Sequence, residues 1–145
     1  MHINIMITTL SQINLINKPF IEIEYNTEYE WLHINWKGQI NDEMGIVGCE
    51  DILFCLHKYP VKKIINDNRQ VYGLWADGIN NWLINSWFPR FLGAGCFFMA
   101  WVQSSCPDSQ ASVEQALKYE TPNITILVFD DIETASAWLI EVYIL

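Results

Sequence analysis

Alternation of apolar and polar positions marks the first regular stretches of the chain. In residues 20–25 (FIEIEY), Phe20, Glu22 and Glu24 point one way and Ile21, Ile23 and Tyr25 the other. This is the period-two pattern of a half-buried strand. Residues 31–36 (WLHINW) alternate again, after a turn opened by Asn26 and Thr27 and before Lys37-Gly38. The two segments and their short connection predict an antiparallel pair. Residues 1–18 mix Asn, Ile and other polar and apolar positions without a clean period, and leave open an edge strand or a loosely ordered tail. The main body is expected over residues 19–145.

Beyond Gly38 the period lengthens. Asn41 or Asp42 can cap a helix whose first turn carries Asp42 and Glu43, and Ile46, Cys49, Leu53 and Leu56 fall on one of its faces. His57, Lys58 and Pro60 are stop signals. A short strand is expected over residues 61–66, then a polar turn, then a Trp-rich helix over residues 75–87 that ends by Gly93. Residues 95–102 (GCFFMAWV) are continuously apolar, as a strand buried on both faces would be. Pro107 suits the first turn of a helix reaching about Lys118. Residues 124–129 (ITILVF) predict a last buried strand. The Asp-x-x-Glu spacing of Asp130 to Glu133 resembles a capping box for a closing helix, with Ile132, Ala135, Leu139 and Tyr143 as its inner stripe and Trp138 beside them. The order is β-β-α-β-α-β-α-β-α in one domain. It predicts an α/β fold with a mixed, mostly parallel sheet whose first strand is an antiparallel edge.

Composition narrows the function classes. Half of the 145 residues are hydrophobic and 17% are charged, which predicts a well-filled core and leaves room for an apolar surface that something else covers. The net charge of −9 and the absence of a basic cluster beyond Lys62-Lys63 disfavour nucleic acid and anionic membrane surfaces as partners. Apolar runs stay well short of a membrane span. Cys49, Cys55, Cys96 and Cys106 form no C-x-x-C pair. On a helix, Cys49 and Cys55 would point about 240° apart. They read as small core residues rather than a disulfide or metal site, in a reduced, cytoplasmic setting. The segment MHINIMITTL has none of the regions of a signal peptide.

The segment Ile64-Ile65-Asn66-Asp67-Asn68-Arg69, then Trp82, then Trp87-Phe88-Pro89-Arg90, then Phe129-Asp130-Asp131 with Ala137-Trp138-Leu139, resembles small bacterial STAS-like proteins of the anti-sigma-factor-antagonist-like superfamily. The resemblance covers roughly residues 20–143. It implies a four- or five-stranded mixed sheet with helices mainly on one face, and a binding or regulatory domain rather than an enzyme. In one respect the chain departs from it. Relatives that act as phospho-switches carry a Ser or Thr after an Asp at a helix start, whereas the corresponding Asp77-Gly78-Ile79 has no hydroxyl until Ser86.

Two constellations stand out. Asp67-Asn68-Arg69 is expected where the central strand meets the next helix, beyond a strand's carboxyl end, where α/β sheets bind ligands. There Arg69 would hold an anionic group oriented by Asp67 or Asn68; the local alternative is a turn in which Arg69 pairs with Asp67 or a helix end. On the Trp-rich helix, Trp75, Ile79, Trp82 and Ser86 share a stripe that Leu83 and Trp87 extend, while Ile84, Phe88 and Phe91 lie off it. This second apolar surface would serve a protein partner or homodimer, or form the lip of an apolar pocket. Such a pocket, between helix and sheet, would be lined by Trp75, Trp82, Trp87 and Phe98 with Arg69 or Arg90 at its mouth. His2, His33 and His57 share no carboxylate, and no HExxH, GxSxG, P-loop or GxGxxG is present. Neither a catalytic set nor a cofactor or metal is expected. The chain reads as a regulatory module that self-associates or, alternatively, binds a small apolar or anionic molecule.

Overall fold

The computed structural model describes residues 11–74, 77–118 and 121–142. Their strands build one six-stranded mixed sheet in serial order. β1 (Gln12–Lys18), β2 (Ile21–Asn26) and β3 (Trp31–Gly38) form an antiparallel meander, and β4 (Lys63–Val71), β5 (Phe98–Val102) and β6 (Thr125–Phe129) continue parallel to β3. The α/β class and the mostly parallel sheet follow the alternation of patterns along the chain. Of the two options for residues 1–18, Gln12–Lys18 take the edge strand, with a register shift between Asn14 and Ile16. Residues 1–10 lie outside the described residues.

Among the described residues, four helical segments connect or follow the strands. α1 (Asp42–Lys58) is capped by Asn41, whose side-chain oxygen accepts the Met44 N–H. α2 (residues 77–93) is composite: a 3-10 turn at Asp77–Ile79, an α-turn at Asn80–Trp82, a π-helical stretch at Leu83–Trp87 and an α-helix at Phe88–Gly93. α3 (Pro107–Leu117) and α4 (Ile132–Glu141) complete the set. α4 is capped by Asp131 rather than Asp130; its carboxylate accepts both the N–H and the hydroxyl of Thr134.

Strand parity divides the core in two. Leu32, Ile34, Ile64, Met99 and Trp101 face α1, α2 and α3, whereas Trp31, Ile65, Ala100 and Val102 face Ala135 and Leu139 of α4 on the opposite side. Among the described residues, three helical segments thus share one face and α4 alone packs on the other. On α1 the buried stripe is Cys49, Ile52, Leu53, Cys55 and Leu56; Ile46, expected on it, is exposed.

Two boundaries differ from the sequence pattern. β4 does not turn after Asn66 but runs on to Val71, because β3 keeps pairing with it through a register shift as far as Gly38 and Val71. A run as polar as Asn66-Asp67-Asn68-Arg69 can stay in a sheet when its side chains satisfy one another, and here they do. The Trp-rich helix does not break before Pro89. In the π stretch the Phe88 N–H reaches back five residues to the Leu83 carbonyl. The wider turn makes room for the proline ring, which has no N–H to lose. The helix beyond turns Phe91 into the core, where it is fully buried and stacks on Trp87 at 4.9 Å.

Candidate functional site

The three-helix face is not completely filled. α3 presents Ser109, Ser112, Val113 and Ala116 to the sheet, all small side chains. Ser109 ties its start down, donating to the carbonyls of Val71 and Gly73. Between the last turn of α3 (Ala116 and Leu117), α1, α2 and strands β3 to β6 lies a cavity of about 260 Å³. Trp36, Trp87, Trp101, Phe88 and Met99 supply much of its wall, and Asn66, Asn68 and Asn80 are its amides. Among the described residues no Asp, Glu, His, Lys or Arg lines it. Leu117, on the rim, is exposed to solvent and marks an opening at the end of α3.

The three wall indoles differ in how their N–H groups are used. Trp36 Nε1 donates to Asn66 Oδ1 at 2.9 Å, and the Asn66 amide donates in turn to Asn68 Oδ1. Trp87 Nε1 donates to the Cys49 carbonyl at 2.7 Å. Trp101 Nε1 is buried and has no partner. An indole N–H can only donate, and one buried without an acceptor is costly, so Trp101 is held in place at the expense of that hydrogen bond. Cys49, the one ionisable side chain on the wall among the described residues, has its thiol pushed far up by burial and by the neighbouring Glu50 carboxylate, which leaves it a poor nucleophile.

A second polar cluster lies on the other face of the sheet, beside α4. Asp67, almost wholly buried, accepts hydrogen bonds from His33 Nε2 (2.9 Å), from Arg69 Nε and Nη2 (3.0 and 2.8 Å) and from the Arg69 main-chain N–H (3.1 Å). Burial opposes its ionisation, but these donors outweigh burial and hold the carboxyl well below the usual carboxylate range. A His–Asp pair can orient a base. On this face, however, β2, β3 and β4 carry Glu22, Glu24, His33, Asn35, Asp67 and Arg69, with no Ser, Thr or Cys to activate. Arg69 spends its fork on Asp67, so the cluster reads as a clamp between β3 and β4.

The candidate residues therefore part company. Asp67 and Arg69 lie within β4 on the α4 face, not in a turn, while Asn68 points the other way into the cavity wall. Trp87 and Phe88 line the cavity; Trp82 packs half-buried beside the core but is not part of the wall. Trp75 lies outside the described residues. Phe98 belongs to the α4 face, edge-on to Trp138 at 6.1 Å, because its neighbours Met99 and Trp101 take the cavity side. Arg90 stands outside, paired bidentately with Glu50 and 5.9 Å from the Trp82 ring centroid, so neither arginine sits at the mouth. Trp36, Asn66, Asn80 and Trp101 were not singled out as pocket residues. The signal for Trp36, Asn66 and Trp101 is a polar group within an apolar or alternating strand, and for Asn80 an amide in the first turn of the Trp-rich helix. The sequence pairs no carboxylate with His33, and its partner Asp67 is 34 residues away.

No protein-family model matches the chain, and no curated protein or solved structure does either. No helix among the described residues is long and apolar enough to cross a membrane.

Proposed function

We propose that this chain is a non-enzymatic, small-molecule-binding module that encloses an apolar ligand between its sheet and the α1–α3 layer. The observation that carries the reading is the cavity of about 260 Å³, whose wall is aromatic, aliphatic and amide and, among the described residues, carries no Asp, Glu, His, Lys or Arg. The wall chemistry supports binding over turnover: among the described residues it holds no acid or base, and the Cys49 thiol is kept protonated. The serial strand order and the three helical segments on one face support reading the fold as STAS-like, with the β1 edge strand added. Self-association through residues 82–91 has less to draw on, since Trp87 and Phe91 are turned inward.

The test uses naphthalene as an apolar probe. Three wall indoles give a direct signal, so titration should change the intrinsic tryptophan fluorescence saturably. Ala116→Phe places a ring in the cavity, and should remove the response while the far-ultraviolet circular dichroism stays that of the parent. Saturable binding that survives Ala116→Phe would place the probe elsewhere and refute the proposal.

A further inference from the structure

One side-chain amide on the cavity wall has its orientation fixed by its neighbours. Resting on the binding role proposed above, we infer that Asn68 is the residue that orients the ligand, its side-chain N–H donating to an acceptor on an uncharged molecule of about two fused rings. The order of donors begins at Trp36. An indole N–H can only donate, so the atom of Asn66 that meets Trp36 Nε1 at 2.9 Å is its carbonyl oxygen. Asn66 Nδ2 is then the group turned to Asn68, 3.4 Å away, and only the Asn68 carbonyl oxygen can answer it. Asn68 Nδ2 is left as the free end of this relay, with two hydrogens to give and no acceptor among the described residues.

Contacts on either side place that nitrogen. Asp67 and Arg69 pair on the α4 face, whereas Asn68 meets Asn66 on the other, and both asparagines belong to the cavity wall. Asn68 is only 5% exposed, so little besides the cavity is open to it. Nor is its nitrogen sealed in protein. Among the described residues the side-chain atoms both sealed and unpartnered are Asn35 Oδ1 and Trp101 Nε1, and Asn68 Nδ2 is not one of them. A donor held in a nearly buried side chain, unpartnered yet open to a small molecule, is the kind of group that orients a ligand in an apolar pocket. The remaining wall sets size and charge. A cavity of roughly 150 Å³ accepts a single benzene ring, and this one is about 260 Å³, with Trp36, Trp87, Trp101 and Phe88 in its wall. An anion would be stripped of water with, among the described residues, no Lys, Arg or His on the wall to receive it. A cation would find no carboxylate there and would bring no lone pair to Asn68.

Quinoline and naphthalene share one shape and differ by a ring nitrogen, which is an acceptor; N-methylquinolinium and naphthoate add charge. Each is titrated by calorimetry into the chain at neutral pH, where quinoline is uncharged. Quinoline should bind about 2- to 10-fold tighter than naphthalene, the usual net contribution of one hydrogen bond. Both ions should bind weaker than naphthalene. Asn68→Leu keeps the size and removes the donor, so it should bind quinoline and naphthalene equally. A second measurement needs no substitution: nuclear Overhauser contacts in the parent protein should join the Asn68 side-chain amide protons to the hydrogens flanking the quinoline nitrogen. Equal binding of quinoline and naphthalene by the parent, tighter binding of either ion than of naphthalene, or bound quinoline without those contacts would overturn the role of Asn68 and leave cavity binding intact. A quinoline preference that survives in a folded Asn68→Leu protein would overturn it as well. Failure of all four molecules to bind a chain with native circular dichroism would overturn the binding role itself.

Discussion

Gly48 is the position where the packing of the cavity wall can be tested most sharply. It lies on α1 directly over the Trp36 indole: a Cβ added there would stand 2.3 Å from Trp36 Cη2, 2.5 Å from Cζ3 and 3.1 Å from Ile21 Cδ1. Restoring ordinary contact requires the indole to retreat by about 1 Å. Trp36 is not free to do so, because it is buried and its N–H is committed to Asn66 at 2.9 Å. Overpacking of this kind costs about 1–3 kcal/mol. Leaving Asn66 Oδ1 unpaired adds about 1–3 kcal/mol. The better helix propensity of Ala returns about 1 kcal/mol. Gly48→Ala should therefore lose about 1–5 kcal/mol net, or roughly 3–15 °C in Tm for a domain of this size. Urea unfolding followed by circular dichroism measures it. Gly93→Ala is the matched control: its added Cβ would meet nothing within 4 Å, so the same change should be neutral or stabilise by up to about 1 kcal/mol. Trp36→Phe removes the two clashing ring atoms, so Gly48→Ala should cost less in that background, a coupling that a double-mutant cycle reads out. A Gly48→Ala protein as stable as its parent, or equal losses at both glycines, would refute the packing argument.

Asp67→Asn should destabilise by about 2–3 kcal/mol, less than a fully buried pair would lose because Arg69 is nearly half-exposed and regains water. Its pH dependence has a definite sign. The folded carboxyl titrates below its unfolded value of 3.8, so the stabilisation is complete above that value and is lost as pH falls toward the folded one. The gap in urea midpoint between parent and Asp67→Asn should stay constant at neutral pH and narrow below about pH 4. A gap that widened on acidification would sink the clamp reading. Thiol chemistry gives an independent check of the core. Burial pushes the Cys55 and Cys96 thiols up to about 11 and about 12, and Cys49 is buried and pushed up further, whereas N–H donors led by that of Ser109 lower Cys106, which is partly exposed. Ellman's reagent should titrate one thiol rapidly in the native chain and four after denaturation. Two or more rapid native equivalents would contradict the burial of α1 and of Cys96. Filling the cavity with Ala116→Leu should raise stability by roughly 0.5–2 kcal/mol, with the thermal midpoint as readout. A fall would mean the space beneath α3 is not there to be filled.

What could be read along the chain was local. The alternation in residues 20–25 and 31–36, the stop signals at His57, Lys58 and Pro60, and Pro107 at a helix start each follow from a side chain and its near neighbours, and each stands in the fold close to where it was expected. Strand parity in the continuous run ending at Val102 was not legible. A strand apolar on both sides carries no period, so nothing along it told Phe98 from Met99, or which face Trp101 would take. The fate of Asp67-Asn68-Arg69 was hidden for a related reason. Read alone, such residues make a turn, and only the β3 ladder and the His33 imidazole, 34 positions away, draw them into a strand. Pro89 likewise signals a break unless a π turn precedes it, and that turn is matched to the packing of Trp87 against Cys49 and Phe91. By itself, then, the sequence determined the class of fold, the order of its elements and a pocket between helix and sheet as one option for the site. The tertiary structure alone decided the cavity's walls and which indole N–H is left over. The physical reason is that hydrogen-bond satisfaction and empty volume are properties of surfaces meeting across the fold, and no stretch of chain holds both sides of such a contact.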